Sequence, residues 1–296
     1  MITIVVASVN PELLSALRRN IEETIGIPYE VIAIDNRFDN RGICEIYNIG
    51  AQQANFEIVC YTHEDVLFVT NNWGRRVVDI FNKNALLGVI GVAGSAYKSA
   101  APSGWGTHRD QTELNYLNYI QHYKRTTKEK HHIHLNPSNT PSIVKVVSVD
   151  GMWFCTRRRI VIENPFDENL LKGFHCYDLQ FCLSLFNKYE VAVTYDILIE
   201  HFSEGSYNVG WIQDTLKLHK NFRHLLPIST VKVAKKEQKN IEKRTFKYFL
   251  KLLADKNHTI LMSYALLTDY LMSSSQISLK LFIKLSYYVL KYRIQR

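Results

Sequence analysis

Short apolar runs alternate with stretches of helical periodicity over the first 65 residues, and this alternation constrains the fold more than any other feature of the chain. The apolar runs cover residues 2–7, 29–34 and 57–61, and the helical stretches between them cover about 10–26 and 43–54. Continuous apolar strands are typical of a parallel sheet with helices on both faces. The sequence therefore predicts a βαβαβ unit.

Each predicted strand runs directly into residues that can bind a ligand. In chain order these are Ser8, Asn10, Asp35, Asn36, His63, Glu64 and Asp65. Right-handed crossovers bring the three strand ends to one edge of the sheet, where open α/β sheets bind their ligands. We therefore expect these residues to line one crevice. A GxGxxG fingerprint does not follow the first strand, which disfavours nicotinamide-dependent enzymes.

The tripeptide His63-Glu64-Asp65 combines oxygen ligands with one imidazole. This combination suits Mg²⁺ or Mn²⁺, and such an ion would bind a diphosphate. Taken alone, the tripeptide is also consistent with an acidic turn that caps a helix.

The second half of the chain supplies further candidate groups. Asp150 and Gly151 separate two predicted strands, Asp178 lies at the start of an amphipathic helix over 177–188, and His201 follows a strand over 197–200. A helix N-terminus stabilises a carboxylate, and a glycine between strands lets a ligand approach the backbone. An N-cap role for Asp178 and a backbone-bonded role for His201 remain alternatives.

Residues 96–141 are polar and rich in glycine and proline, which predicts an irregular excursion over the surface. His131, His132 and His134 lie in this segment beside lysines and without acids at ligand spacing. We therefore expect a solvated loop here rather than a metal cluster.

Several classes of protein are disfavoured. The chain has 296 residues, 46% of them hydrophobic, which predicts a sizeable core and not a disordered protein. No apolar run reaches the roughly 18 residues that a membrane span needs, and neither a GxSxG elbow nor a Walker loop is present. The five cysteines form no CxxC pair, so we expect neither a disulfide framework nor a zinc ribbon, and a reducing, cytoplasmic setting.

The positive charge is concentrated at one end of the chain. Residues 231–296 contain 14 Lys and Arg against 4 Asp and Glu, whereas residues 1–230 carry a net charge of −2. A linker is predicted over 231–240, followed by amphipathic helices with basic stripes. Such helices can lie on an anionic membrane, or pack on the catalytic domain or a second subunit with their lysines in water. The nearly neutral body disfavours nucleic acid as a partner.

The stretch 31–66, VIAIDNRFDNRGICEIYNIGAQQANFEIVCYTHEDV, resembles the nucleotide-binding half of family 2 glycosyltransferases of the GT-A fold. A strand ends in Asp-Asn, a Tyr-Asn-x-Gly helix follows, and the next strand runs into the acidic metal motif. The segments VDGMWFCTRR (149–158), GFHCYDLQFCL (173–183) and IEHFSEGS (199–206) resemble the acceptor-side motifs in the same order. The resemblance covers about residues 1–226.

The resemblance implies a fold and a division of the chain. It implies an α/β, GT-A domain over 1–228, Rossmann-like, with a mostly parallel central sheet and flanking helices. A basic amphipathic, α-helical C-terminal extension would cover 229–296.

The resemblance also implies roles for the candidate residues. Asp35 would hydrogen-bond the base or ribose, and Ser8, Asn10, Asn36 and Glu64 would line the same donor pocket. Asp65 matches the last Asp of the DxD motif and would bind the metal. His201 would complete the set of metal ligands. His63 replaces the first Asp, as in a His-x-Asp subgroup, and whether it contacts metal, ribose or neither stays open. Asp150 and Gly151 would lie beside the donor sugar, and Asp178 would be the catalytic base, with Tyr177 where a Glu often precedes it.

The implied activity is inverting transfer of a sugar, most simply from a UDP-sugar, with Mn²⁺ or Mg²⁺ as cofactor. The implied acceptor is a saccharide or a lipid-linked saccharide of polysaccharide biosynthesis, at the inner face of the plasma membrane or in the cytoplasm, with a homodimer as an option. Two alternatives remain: a catalytically silent sugar-nucleotide-binding or scaffold protein, and a sugar nucleotidyltransferase.

Overall fold

The computed structural model describes residues 1–107, 112–123, 130–136, 139, 142–273 and 277–294. Its strands are β1 Ile2–Ser8, β2 Tyr29–Asp35, β3 Ile58–Thr62, β4 Val66–Phe68, β5 Leu87–Gly91, β6 Ala93–Ser95, β7 Tyr97–Lys98, β8 Asn115–His122, β9 Lys130–Leu135, β10 Ile143–Val146, β11 Ser148–Val149, β12 Trp153–Arg157, β13 Glu190–Thr194, β14 Ile199–His201 and β15 Ile228–Ser229. Its α-helices are α1 Pro11–Thr24, α2 Ile43–Gln53, α3 Trp73–Lys83, α4 Arg158–Glu163, α5 Tyr177–Leu185, α6 Val209–Asn221, α7 Lys235–Asp255, α8 Ile260–Ser273 and α9 Leu279–Ile294. A 3₁₀ turn covers Thr112–Leu114.

The central sheet has seven strands in the order β10-β13-β5-β12-β3-β1-β2. β1 pairs in parallel with both β2 and β3, and β5 pairs in parallel with β13. β12 and β10 run antiparallel to their neighbours. Five of the seven strands therefore run in one direction, as the continuous apolar runs predicted, although three of the six pairings are antiparallel. The first three strands form the βαβαβ unit.

Local sequence explains where the first helix begins. Asn10 caps α1 by accepting from the N–H groups of Glu12 and Leu13, and Pro11 supplies a backbone angle that suits the first helical turn. Leu17 and Ile21 of α1 are fully buried on one face of the sheet, and α2 covers the other face. Burying each such side chain contributes about 1.5–3 kcal/mol.

A second sheet brings distant segments to the edge of the first. It has the order β11-β6-β8-β14-β4, with β9 paired to β8. His201 of β14 lies opposite Val66 of β4 and beside Gln121 of β8. The end of β3 and the end of β14 therefore meet.

This sheet corrects the prediction for residues 96–141. The described part of the segment contains β7, β8 and β9 and is not simply an irregular excursion. His132 and His134 lie on β9, and both donate to Oδ1 of Asn118 at 3.2 Å. The expected histidine loop was wrong, because the histidine run forms a strand that pairs antiparallel with β8.

The C-terminal helices pack together and against α6. Their shared core contains Phe246, Phe249, Leu253 and Leu285, together with Trp211 of α6. The predicted linker over 231–240 was partly wrong, because α7 begins at Lys235. None of the described helices combines the length and the apolar character that a membrane crossing requires.

One carboxylate joins this helical region to the rest of the molecule. Glu242 of α7 is buried and accepts from the hydroxyls of Tyr97 and Ser99 at 2.7 and 2.8 Å. It also accepts from the N–H groups of Ala100 and Ala101 at 3.2 and 2.9 Å. A buried charge with this many donors is well compensated.

The cysteine prediction was also wrong. Cys60 of β3 and Cys155 of β12 form a disulfide, whereas Cys44, Cys176 and Cys182 are free and buried. The two bonded cysteines are 95 residues apart, and antiparallel pairing places them directly opposite each other. The scatter of cysteines therefore gives no argument for a reducing compartment, and a cytoplasmic location stays a prediction.

Candidate active site

His63, Asp65 and His201 meet where β3 and β14 end, and we call them the His-Asp-His cluster. One ligand atom from each lies within 4.8 Å of the others. Oδ1 of Asp65 is 3.8 Å from Nδ1 of His63 and 3.8 Å from Nε2 of His201. These separations are too long for hydrogen bonds but leave space for a shared ion.

The neighbours of His63 fix which of its nitrogens carries the proton. The hydroxyl of Tyr177 donates to the carbonyl of Gly151 at 3.0 Å, so it accepts from Nε2–H of His63 at 2.8 Å. Burial raises the pKa of Tyr177 well above its ordinary value, which keeps the hydroxyl protonated. Nδ1 of a neutral His63 therefore presents a lone pair toward Asp65.

Gln121 fixes the second imidazole in the same way. Its amide nitrogen donates to the carbonyls of His122, His201 and Ser203, so its oxygen must face His201. That oxygen accepts from Nδ1–H of His201 at 3.3 Å, which leaves the Nε2 lone pair toward Asp65. The Ser203 hydroxyl lies 3.2 Å from this nitrogen and can rotate.

The electrostatics favour a cation between these groups. Burial lowers the pKa of His201, aided by the nearby His63, so His201 is neutral near pH 7. Oδ1 of Asp65 is buried and lacks a hydrogen-bond partner among the described residues. Nδ1 of His63, Nε2 of His201 and Oδ1 of Asp65 thus converge, and this donor set fits a divalent metal.

Asp178 lies at the first turn of α5 with its carboxylate held by two backbone donors. Gly151 N–H donates to Oδ2 at 2.9 Å, and Leu179 N–H donates to Oδ1 at 2.8 Å. Burial, with a smaller contribution from the Asp150 carboxylate, raises the pKa of Asp178 to about 7 despite these donors. Asp150 itself accepts from Met152 N–H at 2.8 Å.

Tyr177 and Gly151 connect Asp178 to the His-Asp-His cluster. The hydrogen bonds run from His63 to Tyr177, from Tyr177 to the Gly151 carbonyl, and from Gly151 N–H to Asp178. A Cβ at position 151 would lie 2.3 Å from the Tyr177 oxygen, so this approach requires glycine. Hydrogen bonds therefore link Asp178 to His63 of the cluster, and a shared cleft for Asp65 and Asp178 stays a prediction.

Three of the predicted donor-pocket residues, Ser8, Asn10 and Glu64, are joined by hydrogen bonds. Both oxygens of Glu64 accept from Asn10 N–H at 3.0 and 3.1 Å and from Val9 N–H, and Oε2 also accepts from the Ser8 hydroxyl at 2.7 Å. The side chain of Asn10 caps α1. These groups hold the turn between β1 and α1, and their predicted contact with a donor stays a prediction.

Asp35 and Asn36 complete the same strand edge. Asp35 is paired with Arg37 at 2.6 Å on the surface, and these hydrogen bonds lower the pKa of Asp35 to about 2. The Asn36 amide exchanges two hydrogen bonds with the backbone of Arg41. With Ser8, Asn10 and Glu64 they form what we call the turn cluster, in which every member has a partner within the protein.

Comparison with protein families decides the identity of the domain. The profile of a family described as glycosyltransferase-like matches residues 3–215. The chain belongs to this glycosyltransferase-like family. Membership supports sugar transfer in general, and a search of curated protein sequences gave no significant match.

Solved structures show that the glycosyltransferase has the GT-A fold. A structure of Staphylococcus aureus TarS (residues 1-349) with UDP has a TM-score of 0.53 and 11% identity, and covers 100% of this chain and 92% of that chain. A structure of GalNAc-T7 with UDP, GalNAc and Mn²⁺ has a TM-score of 0.51 and 10% identity, and covers 93% of this chain and 58% of that chain. The predicted fold class is confirmed.

Two residues of the candidate site were missed in the sequence analysis. Gln121 lies on β8, in a segment that was predicted to be irregular, and the Tyr, Leu and Ile residues of NYLNYIQH, which include aromatic and β-branched types, could have indicated the strand. Tyr177 was noted only as a departure from the family pattern. Its bond to His63 links positions 114 residues apart, which no local pattern reveals.

Proposed function

We propose that this glycosyltransferase moves a sugar from a UDP-sugar to an acceptor hydroxyl with inversion, assisted by a divalent cation. The observation that carries the proposal is the convergence of two imidazole nitrogens and one carboxylate oxygen in the His-Asp-His cluster, which hydrogen bonds of Tyr177 and Gly151 link to Asp178. The likeness to structures that hold UDP supports the choice of nucleotide.

His63, Asp65 and His201 would hold the cation. Two imidazole nitrogens and one carboxylate suit Mn²⁺ better than Mg²⁺, which prefers oxygen ligands and water. When bound, the ion would neutralise charge on the departing diphosphate. Gln121 and Tyr177 would orient the two imidazoles, since partners of this kind set both the tautomer and the ligand strength of a histidine.

Asp178 would remove the proton from the acceptor hydroxyl. An inverting transfer needs a base within hydrogen-bond reach of that hydroxyl, on the face opposite the leaving group. A pKa of about 7 leaves a large ionised fraction near neutral pH and makes the carboxylate a stronger base than an ordinary aspartate. The N–H groups of Gly151 and Leu179 would keep it in place.

The turn cluster would form the nucleotide end of the cleft. Asp35 would contact the base or ribose once Arg37 releases it, and the Arg37 guanidinium would then be free for a phosphate. Ser8, Asn10, Asn36 and Glu64 would shape the pocket wall. Asp150 and Gly151 would lie beside the donor sugar, because the glycine leaves the backbone accessible.

The proposed acceptor is a saccharide or a lipid-linked saccharide of polysaccharide biosynthesis, met at the inner face of the plasma membrane. The C-terminal helices would keep the enzyme near that membrane or join two copies as a homodimer. The division into a domain over 1–228 and an extension over 229–296 is part of this proposal.

The Asp178→Asn variant tests the proposal against a silent donor-binding protein. We expect transfer to fall by about 10³-fold or more, since the base is lost, while UDP binds with Mn²⁺ as tightly as to the wild type. UDP release under a broad acceptor screen measures transfer, and calorimetry measures binding. Donor binding without turnover by the wild type would favour the scaffold alternative, and release of pyrophosphate would favour a nucleotidyltransferase.

A further inference from the structure

Four large apolar side chains form an exposed stripe along α9. Leu279, Ile283 and Tyr287 are 64%, 62% and 63% exposed, and Leu290 is 47% exposed. At 3.6 residues per turn these positions fall within about 80° of the helix surface. The helix already buries Leu285 and Val289 on a different side, so the stripe is not its packing face. An exposed apolar row of this length indicates an interaction site.

Three lysines run beside the stripe. Lys280, Lys284 and Lys291 are exposed and lie within about 40° of one another on the helix. Residues 277–296 contain five Lys and Arg and no Asp or Glu. The outward side of α9 is therefore both apolar and positively charged.

The adjoining helix adds to this charge. Lys243 of α7 lines a surface groove together with Ile283, Lys284 and Tyr287. Lys247 of α7 lies 3.9 Å from the centre of the Tyr288 ring, so a second cation sits over the α7–α9 junction. The outward surface of α9 and the adjoining part of α7 are therefore complementary to a partner that is negatively charged and can bury apolar side chains.

The acids of the neighbouring helices are too few to cancel the lysines. Glu242 of α7 is buried under its own donors, and Asp269 of α8 pairs with Arg223. Glu237 and Asp255 are exposed near the two ends of α7, and Asp255 contributes to the raised pKa of Tyr292 on α9. Residues 231–296 still carry 14 Lys and Arg against 4 Asp and Glu. A second copy of this chain would bring an equally basic helix against the first, which is unfavourable for a symmetric contact. The occupant must therefore be anionic.

We propose that the α9 docking face, formed by Leu279, Ile283, Tyr287, Leu290 and the three lysines beside them, binds a lipid bilayer that contains anionic headgroups. The helix lies along the surface: its apolar stripe enters the boundary between headgroups and acyl chains, and the lysines reach up to the phosphates. Each lysine near such a surface strengthens binding, and salt weakens it. This inference rests on the exposed face and not on the transfer reaction.

Vesicle sedimentation with the full-length protein tests the inference. We expect binding to vesicles of phosphatidylcholine with about one third phosphatidylglycerol, weak binding to phosphatidylcholine alone, and release at high salt. Equal binding to both compositions, or to neither, would overturn the proposal.

Matched variants locate the binding face. Lys280→Glu with Lys284→Glu and Lys291→Glu, or Ile283→Ser with Tyr287→Ser, should each weaken vesicle binding by about tenfold or more. The control Lys83→Glu with Lys172→Glu and Lys188→Glu makes the same change in charge on exposed lysines of the catalytic domain and should stay within about twofold. An equal loss in the control would assign the binding to overall charge and overturn the proposal.

Sedimentation velocity tests the alternative that the α9 docking face binds a second copy of the chain. All substituted side chains are exposed or half-exposed, so circular dichroism should match the wild type. A dimer that Ile283→Ser with Tyr287→Ser converts to a monomer would show that the face binds a second copy. Binding to an acidic protein without binding to vesicles would likewise contradict a lipid partner.

Discussion

The turn cluster and the His-Asp-His cluster lie at the same sheet edge and are built from similar residues, yet their hydrogen bonding differs. In the turn cluster each polar group has a partner within the protein, as when Glu64 accepts from Ser8, Val9 and Asn10. In the His-Asp-His cluster Oδ1 of Asp65 is buried without a hydrogen-bond partner among the described residues, and one nitrogen of each imidazole lies 3.8 Å from it. Satisfied groups hold the fold, whereas unsatisfied buried groups indicate a missing ligand.

The largest expected effect is on Mn²⁺ binding, and it should differ between the adjacent acids Glu64 and Asp65. Asp65→Asn should weaken Mn²⁺ binding by about 100-fold or more, because it replaces the central anionic ligand with a neutral amide. Glu64→Gln is the matched control and should leave Mn²⁺ binding within about twofold. Its cost should instead be a loss of about 1–3 kcal/mol in the free energy of unfolding. Calorimetry with Mn²⁺ measures metal affinity, and urea unfolding measures stability. An equal loss of Mn²⁺ affinity in both variants would contradict the proposed difference between the two clusters.

A smaller effect tests how the first imidazole is positioned. Tyr177→Phe removes the hydroxyl that accepts from His63, so Mn²⁺ affinity should fall by about 10- to 100-fold. Tyr61→Phe is the control, since Tyr61 is another buried tyrosine of the same core. Binding of Co²⁺ followed by its visible absorption reports the ligand geometry without any turnover. A Tyr177→Phe spectrum and affinity equal to those of the control would leave Tyr177 a purely structural role.

The smallest effect concerns pH and distinguishes Asp178 from the metal ligands. Because its pKa is about 7, the transfer rate should fall by about tenfold for each pH unit below 7 as the base becomes protonated. The raised pKa also means that wild-type stability declines as pH rises toward 7. The free energy of unfolding of Asp178→Asn should therefore increase relative to that of the wild type as the pH is raised from 5 to 8. Unfolding in urea at the two pH values checks this, and a constant difference would show that Asp178 titrates normally.

Much of the architecture could be predicted from local patterns. The strand at 2–7, its helix and the following strand lie where the apolar runs and the helical periodicity indicated, because these signals act over a few residues. The meeting of His63, Asp65 and His201 followed in part from the convergence of strand ends. A ligand role for His63 and a shared cleft for Asp65 and Asp178 stay predictions.

Long-range pairing accounts for what local patterns did not predict. Gln121 reaches His201 across 80 residues, and Cys60 meets Cys155 across 95. Both contacts depend on strand register, which forms only when the whole sheet assembles. The strands within 96–141 were missed for a related reason, since β8 pairs with β6, β9 and β14 and its own sequence contains no continuous apolar run.

The buried carboxylate of Glu242 has a consequence for how the C-terminal helices could be removed. Cutting the chain before α7 would leave the hydroxyls of Tyr97 and Ser99 and the amides of Ala100 and Ala101 without their acceptor. A shortened protein would have to admit water to that interior or rearrange residues 97–101. The C-terminal helices are therefore an integral part of the folded enzyme and not an independent appendage.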